Sequence, residues 1–190
     1  MEKKELYDFD IRRALINKLF TQSIKPNAII EELRVHNGKA IADVVALYKE
    51  AHCYEIKSDV DNDVRLIQQS NYYDRAFRKI TLVTTQKHLT NMGSKIPEHW
   101  GIMIAQLKFN NEIILKYIRK ATNNRYFDKR VALKSLWKDE LLSLNNQEKS
   151  FLRKDKLVEI ISQNYKKQEL SENISELLKV RDKAYFLNYT

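Results

Sequence analysis

Three charged side chains in two short apolar segments are the residues best suited to chemistry. Asp43 lies in IADVV, while Glu55 and Lys57 flank Ile56 in CYEIK. A charged side chain inside an apolar strand costs free energy unless an opposite charge or a metal accompanies it. Side chains alternate along a strand, so we expect Glu55 and Lys57 on one face. The pattern predicts one polar site that contains all three residues.

Metal-assisted chemistry suits such a group. Only the turn 49–52 separates the two segments, so they are expected to be antiparallel neighbours in which Asp43 approaches Glu55. Two carboxylates held close together repel each other, and a divalent cation relieves that repulsion. Mg²⁺ typically binds one or two carboxylates together with water and phosphate oxygens. Lys57 beside the ion would orient a water molecule or stabilise charge developing on a phosphate.

Hydrophobic periodicity predicts the elements that position these residues. Asn37-Gly38 favours a tight turn between the first two strands, and the first three strands form an antiparallel meander. Trp100, Trp137 and the single cysteine, Cys53, are expected in the core. Helices are predicted over 5–22, 60–77, 128–144, 152–164 and 171–186, and strands over 29–35, 40–48, 53–57, 80–85 and 101–107.

Positive charge is concentrated toward the C-terminal end. The formal net charge is +9, and residues 115–190 carry +7 of it, from 17 Lys/Arg and 10 Asp/Glu. Such an excess suits a polyanionic partner, of which nucleic acid is the commonest, although a solvated helical surface has the same composition. One cysteine excludes an internal disulfide, and no stretch approaches the roughly 20 apolar residues of a membrane span. A cytoplasmic protein with no membrane partner is expected.

The segments around these residues resemble the PD-(D/E)XK nuclease superfamily, the fold of many restriction endonucleases and Holliday-junction resolvases. The resemblance is closer still to a bacterial subfamily of largely unassigned function. The similarity departs from the motif at Ala42, where the motif has its most dispensable member, a proline. It extends from about residue 10 to about residue 145, and it is carried by GKAIADVVAL, YEIKSDVDNDVRLIQQSNYYDRAF, ITLVTT, PEHWGIMIA and LWKDELLSL.

The resemblance implies a fold and a metal site. The fold is an α/β restriction-endonuclease-like core over residues 1–115, an antiparallel meander plus further strands flanked by helices, followed by a basic, mostly helical extension over 116–190. Asp43 would be the central metal ligand. Glu55 would be the second ligand, joined by the backbone carbonyl of Ile56. Lys57 would be the catalytic lysine.

Further site residues follow from the same resemblance. A glutamate of the first strand would complete the site, with Glu32 favoured and Glu31 left open because neighbours on a strand face opposite ways. Gln69 would enter from the helix after the lysine strand, with Tyr73 one turn beyond it against nucleic acid. Arg65 lies one turn before Gln69, where it could meet a phosphate.

Less specific interpretations of the same residues stay open. Glu55 and Lys57 could form a salt-bridge ladder on an exposed edge strand. Both glutamates of the first strand could be solvated, and Gln69 and Tyr73 could be ordinary helix surface and core. Arg65 is more often a solvated helix residue than a phosphate contact.

The implied function is a Mg²⁺- or Mn²⁺-dependent deoxyribonuclease. No sequence-reading element is evident, so low or structure-directed specificity is expected, in a phage, mobile-element or defence setting. Nucleases of this class often dimerise to cut both strands, which makes a homodimer compatible with the assignment. The alternatives are a non-catalytic nucleic-acid-binding module on the same fold and a helical regulatory protein that works through residues 128–186.

Overall fold

A computed structural model of the chain describes residues 5–61, 64–92, 95–145 and 151–181; the side chains of 64–68 and 91–92 are outside this description. Within these ranges, no helix is both long enough and apolar enough to span a bilayer. The elements are α1 (Asp8–Thr21), β1 (Ala28–Val35), β2 (Ala40–Leu47), β3 (Ala51–Lys57), α2 (Val64–Ala76), β4 (Lys79–Thr85), α3 (Gln86–Met92), β5 (Gly101–Leu107), β6 (Ile113–Arg119), α4 (Lys129–Leu133), α5 (Lys138–Asn145), α6 (Lys154–Asn164) and α7 (Lys167–Arg181).

The strands form one mixed sheet in the order β1-β2-β3-β4-β5-β6. The pairs β1–β2, β2–β3 and β5–β6 are antiparallel, whereas β3–β4 and β4–β5 are parallel. A turn at Asn37 (φ 58°) and Gly38 (φ 82°) joins β1 to β2, as the Asn-Gly pair predicted. The α/β class and the predicted meander are therefore confirmed, and β3 lies in the interior of the sheet.

Each face of the sheet has its own hydrophobic cluster. One face packs against α1 through Ile11, Leu15 and Leu19. The other face packs against α2 and also against the C-terminal helices, which contribute apolar side chains to the same cluster: Leu157, Ile161, Leu170, Ile174 and Leu178. Burial on both faces explains why β4 (KITLVTT) is an almost continuous apolar and β-branched run.

The structure differs from the sequence-based expectations around the predicted C-terminal extension. The predicted boundary at 115/116 falls inside β6, a strand that the periodicity did not predict. The single helix predicted over 128–144 is two helices, because the chain turns after α4 and Glu140 accepts a hydrogen bond from the backbone N–H of Trp137 where α5 begins. Trp100 is buried as expected, but Trp137 is 60% exposed in that turn, so its assignment to the core was wrong.

Candidate functional site

The site lies where β2 and β3 separate. Their ladder runs from Leu47–Ala51 to Val44–Tyr54 and ends there, one residue short of Asp43. Beyond this point the Asp43 side chain connects the two strands, since its Oδ2 accepts a 2.8 Å hydrogen bond from the backbone N–H of Ile56. This bond satisfies an amide that pairing no longer reaches. It also fixes Asp43 against the strand that carries Glu55 and Lys57.

A local irregularity in β1 and β2 places the acidic residues. Pairing joins Glu31 to Val44 and Leu33 to Ala42, but it passes over the residues between them, where Glu32 has a φ of 55°. On both strands, the alternation of side chains between the two clusters shifts at this point. A positive φ is uncommon for a residue with a side chain. The shift leaves Glu31 half-buried and Glu32 exposed.

Glu55 and Lys57 form a buried ion pair. Lys57 Nζ donates to Glu55 Oε1 at 2.8 Å, and Glu55 is 1% exposed. Because β3 is an interior strand, the alternative of a surface ladder on an edge strand was wrong. The other Glu55 oxygen, Oε2, is buried and has no hydrogen-bond partner among the described residues. An unsatisfied buried carboxylate oxygen is costly, so it marks a place where a cation or donor would be stabilised.

Arg12, which the sequence did not single out, joins the first-strand glutamate to the site. It lies on α1, and its Nη1 donates to the backbone oxygen of Asp43 at 2.8 Å. Its guanidinium is also 3.5 Å from Glu31 Oε2 and 3.6 Å from Asp43 Oδ1, and its Nε donates to Asp8. The side chain is 13% exposed. The geometry therefore favours Glu31 over the predicted Glu32 as the glutamate beside Asp43.

The charges in this site shift one another's protonation. Burial and the nearby Glu55 raise the pKa of Asp43 to about 7, against the hydrogen bond from Ile56 and the charges of Lys57 and Arg12. Burial alone would lower the pKa of Lys57, but the charge and hydrogen bond of Glu55, with Asp43, raise it above the ordinary value. Lys57 is thus held as an ammonium that donates, rather than as a base that accepts a proton.

The remaining predicted residues lie on α2. Gln69 is half-buried, and its Oε1 is a second buried oxygen that accepts no hydrogen bond within the described part of the chain. Tyr73 is fully buried and donates to the backbone oxygen of Ile41 at 2.7 Å, so its predicted contact with nucleic acid does not fit its position in the core. Arg65 lies on α2, but its side chain is outside the described residues. Its phosphate contact stays a prediction.

Loop contacts hold the end of β3 in place. The side chain of Thr84, on β4, donates to the backbone oxygen of Lys57. Asp59 accepts from the backbone N–H of Leu6 and from the hydroxyl of Thr85. Asp61 accepts from both the backbone N–H and the hydroxyl of Ser58. The segment after Lys57 is thus fixed to β4 and to the start of the chain.

The residues fit a metal held by few protein ligands. Within the described ranges, no group of three or more His, Cys, Asp and Glu side chains is placed to hold a metal ion. Asp43 and Glu55 nevertheless offer hard carboxylate oxygens, one of them buried and unsatisfied. Mg²⁺ commonly takes one or two carboxylates and completes its shell with water and phosphate. The site therefore matches that mode and not an all-protein cage.

Comparison with known proteins gives a family match along the whole chain. The model of a family described as Bacteriophage P4 protein cII matches residues 1–190. Protein cII of Enterobacteria phage P4 is 30% identical over 143 residues, which are 75% of this chain and 54% of that protein. The chain thus spans about half the length of this relative. A solved structure, the SPO1766 protein of unknown function from Silicibacter pomeroyi, gives a TM-score of 0.46 at 18% identity and covers 62% of this chain and 73% of that one.

Proposed function

The chain belongs to the bacteriophage P4 protein cII family, and from the chemistry of its site we propose that it is a Mg²⁺- or Mn²⁺-dependent nuclease that hydrolyses phosphodiester bonds of DNA. One observation carries the proposal. Asp43 is fixed at the fork between β2 and β3, beside a buried Glu55–Lys57 ion pair that keeps one carboxylate oxygen unsatisfied. Such a cluster costs stability, which a binding or catalytic role would explain.

The arrangement agrees with what the resemblance to PD-(D/E)XK nucleases implies. Asp43 lies on the middle strand of the meander, and Glu55 and Lys57 lie on the third strand. Gln69 follows on the next helix, and its buried, unsatisfied Oε1 is compatible with a place in the site. We take Glu31, held by Arg12, as the first-strand glutamate of this set. These positions support a restriction-endonuclease-like core.

In the proposed reaction, each side chain has a defined task. Asp43 and Glu55 would hold the metal, with the backbone carbonyl of Ile56 as the predicted third ligand, and the bound ion would supply Lewis-acid polarisation of the phosphate and acidify a water molecule. Lys57 donates to a non-bridging oxygen of the phosphate and so stabilises the charge that develops there. Arg12 keeps Glu31 and Asp43 oriented. A water oxygen attacks the phosphorus in line and gives up its proton to solvent. The new P–O bond forms as the bond to the 3′-oxygen breaks, and solvent supplies the proton that this oxygen takes.

Charge distribution supports DNA as the substrate. The excess of +7 over residues 115–190 would bind the phosphate backbone without reading bases, which fits low or structure-directed specificity. Binding of this kind weakens steeply as salt rises. A cytoplasmic protein that dimerises to cut both strands would complete this proposal.

A plasmid-cleavage assay tests the reaction. Supercoiled plasmid and a branched duplex are incubated with the protein and Mg²⁺ or Mn²⁺, with EDTA as the blank. Loss of Asp43 or Lys57, as Asp43→Ala or Lys57→Ala, is expected to lower the rate by about 100-fold or more. The exposed Lys108→Ala serves as a matched control that keeps the wild-type rate. Equal rates in all four proteins would exclude the nuclease.

A non-catalytic nucleic-acid-binding module is the second candidate. It is favoured by the absence, within the described residues, of any group of three potential metal ligands, and by the cations that Arg12 and Lys57 already supply. This candidate requires DNA binding that is unchanged by EDTA and by Asp43→Ala. The same variants, assayed for binding beside cleavage, therefore separate the two functions.

A further inference from the structure

A second site lies at the opposite end of the sheet from Asp43. A groove of about 1150 Å³ opens between the last turn of α2 and the segments that precede β5 and follow β6. His99 lies two residues before β5 begins at Gly101, whereas Glu55 and Lys57 lie at the end of β3. Since β3, β4 and β5 run parallel, their beginnings and ends are separated by about 15–20 Å of strand. The groove is therefore distinct from the candidate metal site.

The floor of the groove, at the half-buried Asp74 and His99, is held by hydrogen bonds, in part to buried groups beneath it. Asp74 Oδ1 accepts from the indole N–H of the fully buried Trp100 and lies 2.7 Å from Nε2 of His99. Asn124, which is 5% exposed, donates its side-chain N–H groups to the backbone oxygens of Asp74 and Phe77. These contacts fix the loop after β6 onto the end of α2. The floor is thus preorganised rather than formed by loose surface side chains.

The rim combines an exposed aromatic ring with cations. Tyr126 is 52% exposed, its ring lies 5.7 Å from that of His99, and the Arg125 guanidinium lies 5.0 Å from its centroid. Lys167, at the start of α7, donates to the backbone oxygen of Arg125 and so brings a second cation to this edge. Arg75 is also in the lining but is already paired with Asp128. Arg125 and Lys167 thus place two cations beside Tyr126, and Glu98 of the same lining acts on the charge of Arg125.

The combination matches the chemistry of an unpaired nucleotide strand. Exposed aromatic rings stack on bases of any sequence, and neighbouring cations follow the phosphates. The lining also contains carboxylates and amides that can form hydrogen bonds with the donors and acceptors at the edge of a base. Among them are Asn71, Glu98 and Asn123. We propose that this groove binds single-stranded nucleic acid, with a base stacked on Tyr126 and adjacent phosphates against Arg125 and Lys167.

Binding is measured in EDTA, so the outcome does not depend on the proposed nuclease. A fluorescein-labelled, mixed-sequence DNA strand of about 12 nucleotides is titrated by anisotropy, with the unlabelled duplex as competitor. The single strand is expected to bind more tightly than the duplex. Tyr126→Ala should weaken single-strand binding by about tenfold, whereas Tyr126→Trp should retain it because the indole still stacks. Arg125→Gln should weaken binding. It should also reduce the slope of log K against log salt concentration by about one.

Two controls give the test its specificity. Phe109→Ala removes a fully exposed aromatic ring from the turn between β5 and β6 and should leave binding unchanged. Thermal unfolding of each variant establishes that the fold is intact, and Arg125→Gln, at an exposed position, provides a variant with little risk to folding. Wild-type affinity in both Tyr126→Ala and Arg125→Gln would overturn the proposal. A loss of affinity in Phe109→Ala as large as that in Tyr126→Ala would also overturn it.

Discussion

Arg12 acts as an internal cation for two acidic side chains from neighbouring strands. Its guanidinium lies within 3.6 Å of both Glu31 and Asp43, and its side chain is 13% exposed. Burial would lower its pKa, but the charges of Asp8, Asp43 and Glu31 raise it, so the group stays charged. Without that charge, the two carboxylates would face each other with less compensation. Arg12 therefore stabilises the arrangement that a bound metal would also stabilise.

Removing this cation is expected to destabilise the metal-free protein. Arg12→Gln should lower the free energy of unfolding by about 1–3 kcal/mol in EDTA, because two partly buried carboxylates lose their partner. Mn²⁺ should then restore more stability to Arg12→Gln than it adds to the wild type, since a bound ligand stabilises the folded state by mass action. Urea unfolding with and without Mn²⁺ measures both effects.

The neighbouring arginine provides the matched control. Arg13 is exposed on the same helix, so Arg13→Gln should stay within about 0.5 kcal/mol of the wild type. If Arg12→Gln and Arg13→Gln unfolded alike in both conditions, Arg12 would have no such role.

The sequence pointed to three charged residues of the candidate site but not to Arg12. Asp43, Glu55 and Lys57 are detectable because each is a charge inside an apolar strand whose neighbours are local in the chain. Arg12 approaches Asp43 only through the packing of α1 on the sheet, which no local pattern specifies. The sequence left the choice between Glu31 and Glu32 open for a related reason, because strict alternation does not anticipate the positive φ at Glu32.

At the level of elements, a polar contact joins β3 to β4 at the end of the sheet away from Asp43, and β5 approaches it closely. His52 on β3 lies with its Nε2 2.8 Å from Thr81 Oγ1 on β4, and its ring stacks on Tyr54. A Cβ at Gly101 on β5 would come within 2.5 Å of the same Thr81 oxygen, so glycine is needed for this approach. His52, which falls within the turn predicted over 49–52, is instead half-buried in a strand.

This placement gives a pH dependence with a definite sign. Burial and the neighbouring Lys79 lower the pKa of His52 to about 3, so the folded protein holds the ring neutral while the unfolded chain takes a proton near pH 6.5. Stability from this group is complete above pH 6.5 and is lost as the pH falls toward 3. The loss between pH 7 and pH 5 is about 1–2 kcal/mol.

Urea unfolding at both pH values tests this assignment. His52→Gln keeps a polar group near Thr81 but cannot titrate, so its stability should fall less than that of the wild type between pH 7 and pH 5. His88→Gln, another change of a buried histidine, is the comparison. If the stability of His52→Gln fell between pH 7 and pH 5 as much as that of the wild type, the ring would not be held neutral by the fold.

The sequence predicted the type of an element correctly where its hydrophobic periodicity was strong. The predictions were wrong where contacts between elements set the structure. The meander, α1, α2 and the strands β4 and β5 were predicted because apolar spacing and turn residues agree there. The strand β6 was missed because only Leu115 is buried on it, so it lacks a clear alternation. The break between α4 and α5 depends on capping, where Glu140 accepts a hydrogen bond from the backbone N–H of Trp137.

On the scale of the whole molecule, the C-terminal helices are part of the main core. Leu157 and Ile161 on α6 and Leu170 and Ile174 on α7 share one hydrophobic cluster with the sheet and α2. Ser175 on α7 also donates its hydroxyl to the backbone oxygen of Tyr48. The C-terminal helices therefore stabilise the fold that forms the candidate sites.

Truncation tests this integration. A chain that ends at residue 127 exposes the apolar surface of the sheet that α4, α6 and α7 cover, so it should lose cooperative unfolding or aggregate. A chain that ends at residue 181 keeps all the described helices and should still unfold cooperatively. Calorimetric unfolding distinguishes the two. A stable, cooperative 1–127 fragment would instead establish an independent core and tail.

The most direct test of the proposed metal site is a calorimetric titration of the protein with Mn²⁺. We predict saturable binding of about one equivalent to the wild type, and binding weaker by at least about tenfold in Glu55→Gln, because that change removes a ligand charge. The exposed Glu32→Gln should bind as the wild type does. Heats indistinguishable from dilution in the wild type, or equal affinity in Glu55→Gln, would contradict a metal held between Asp43 and Glu55.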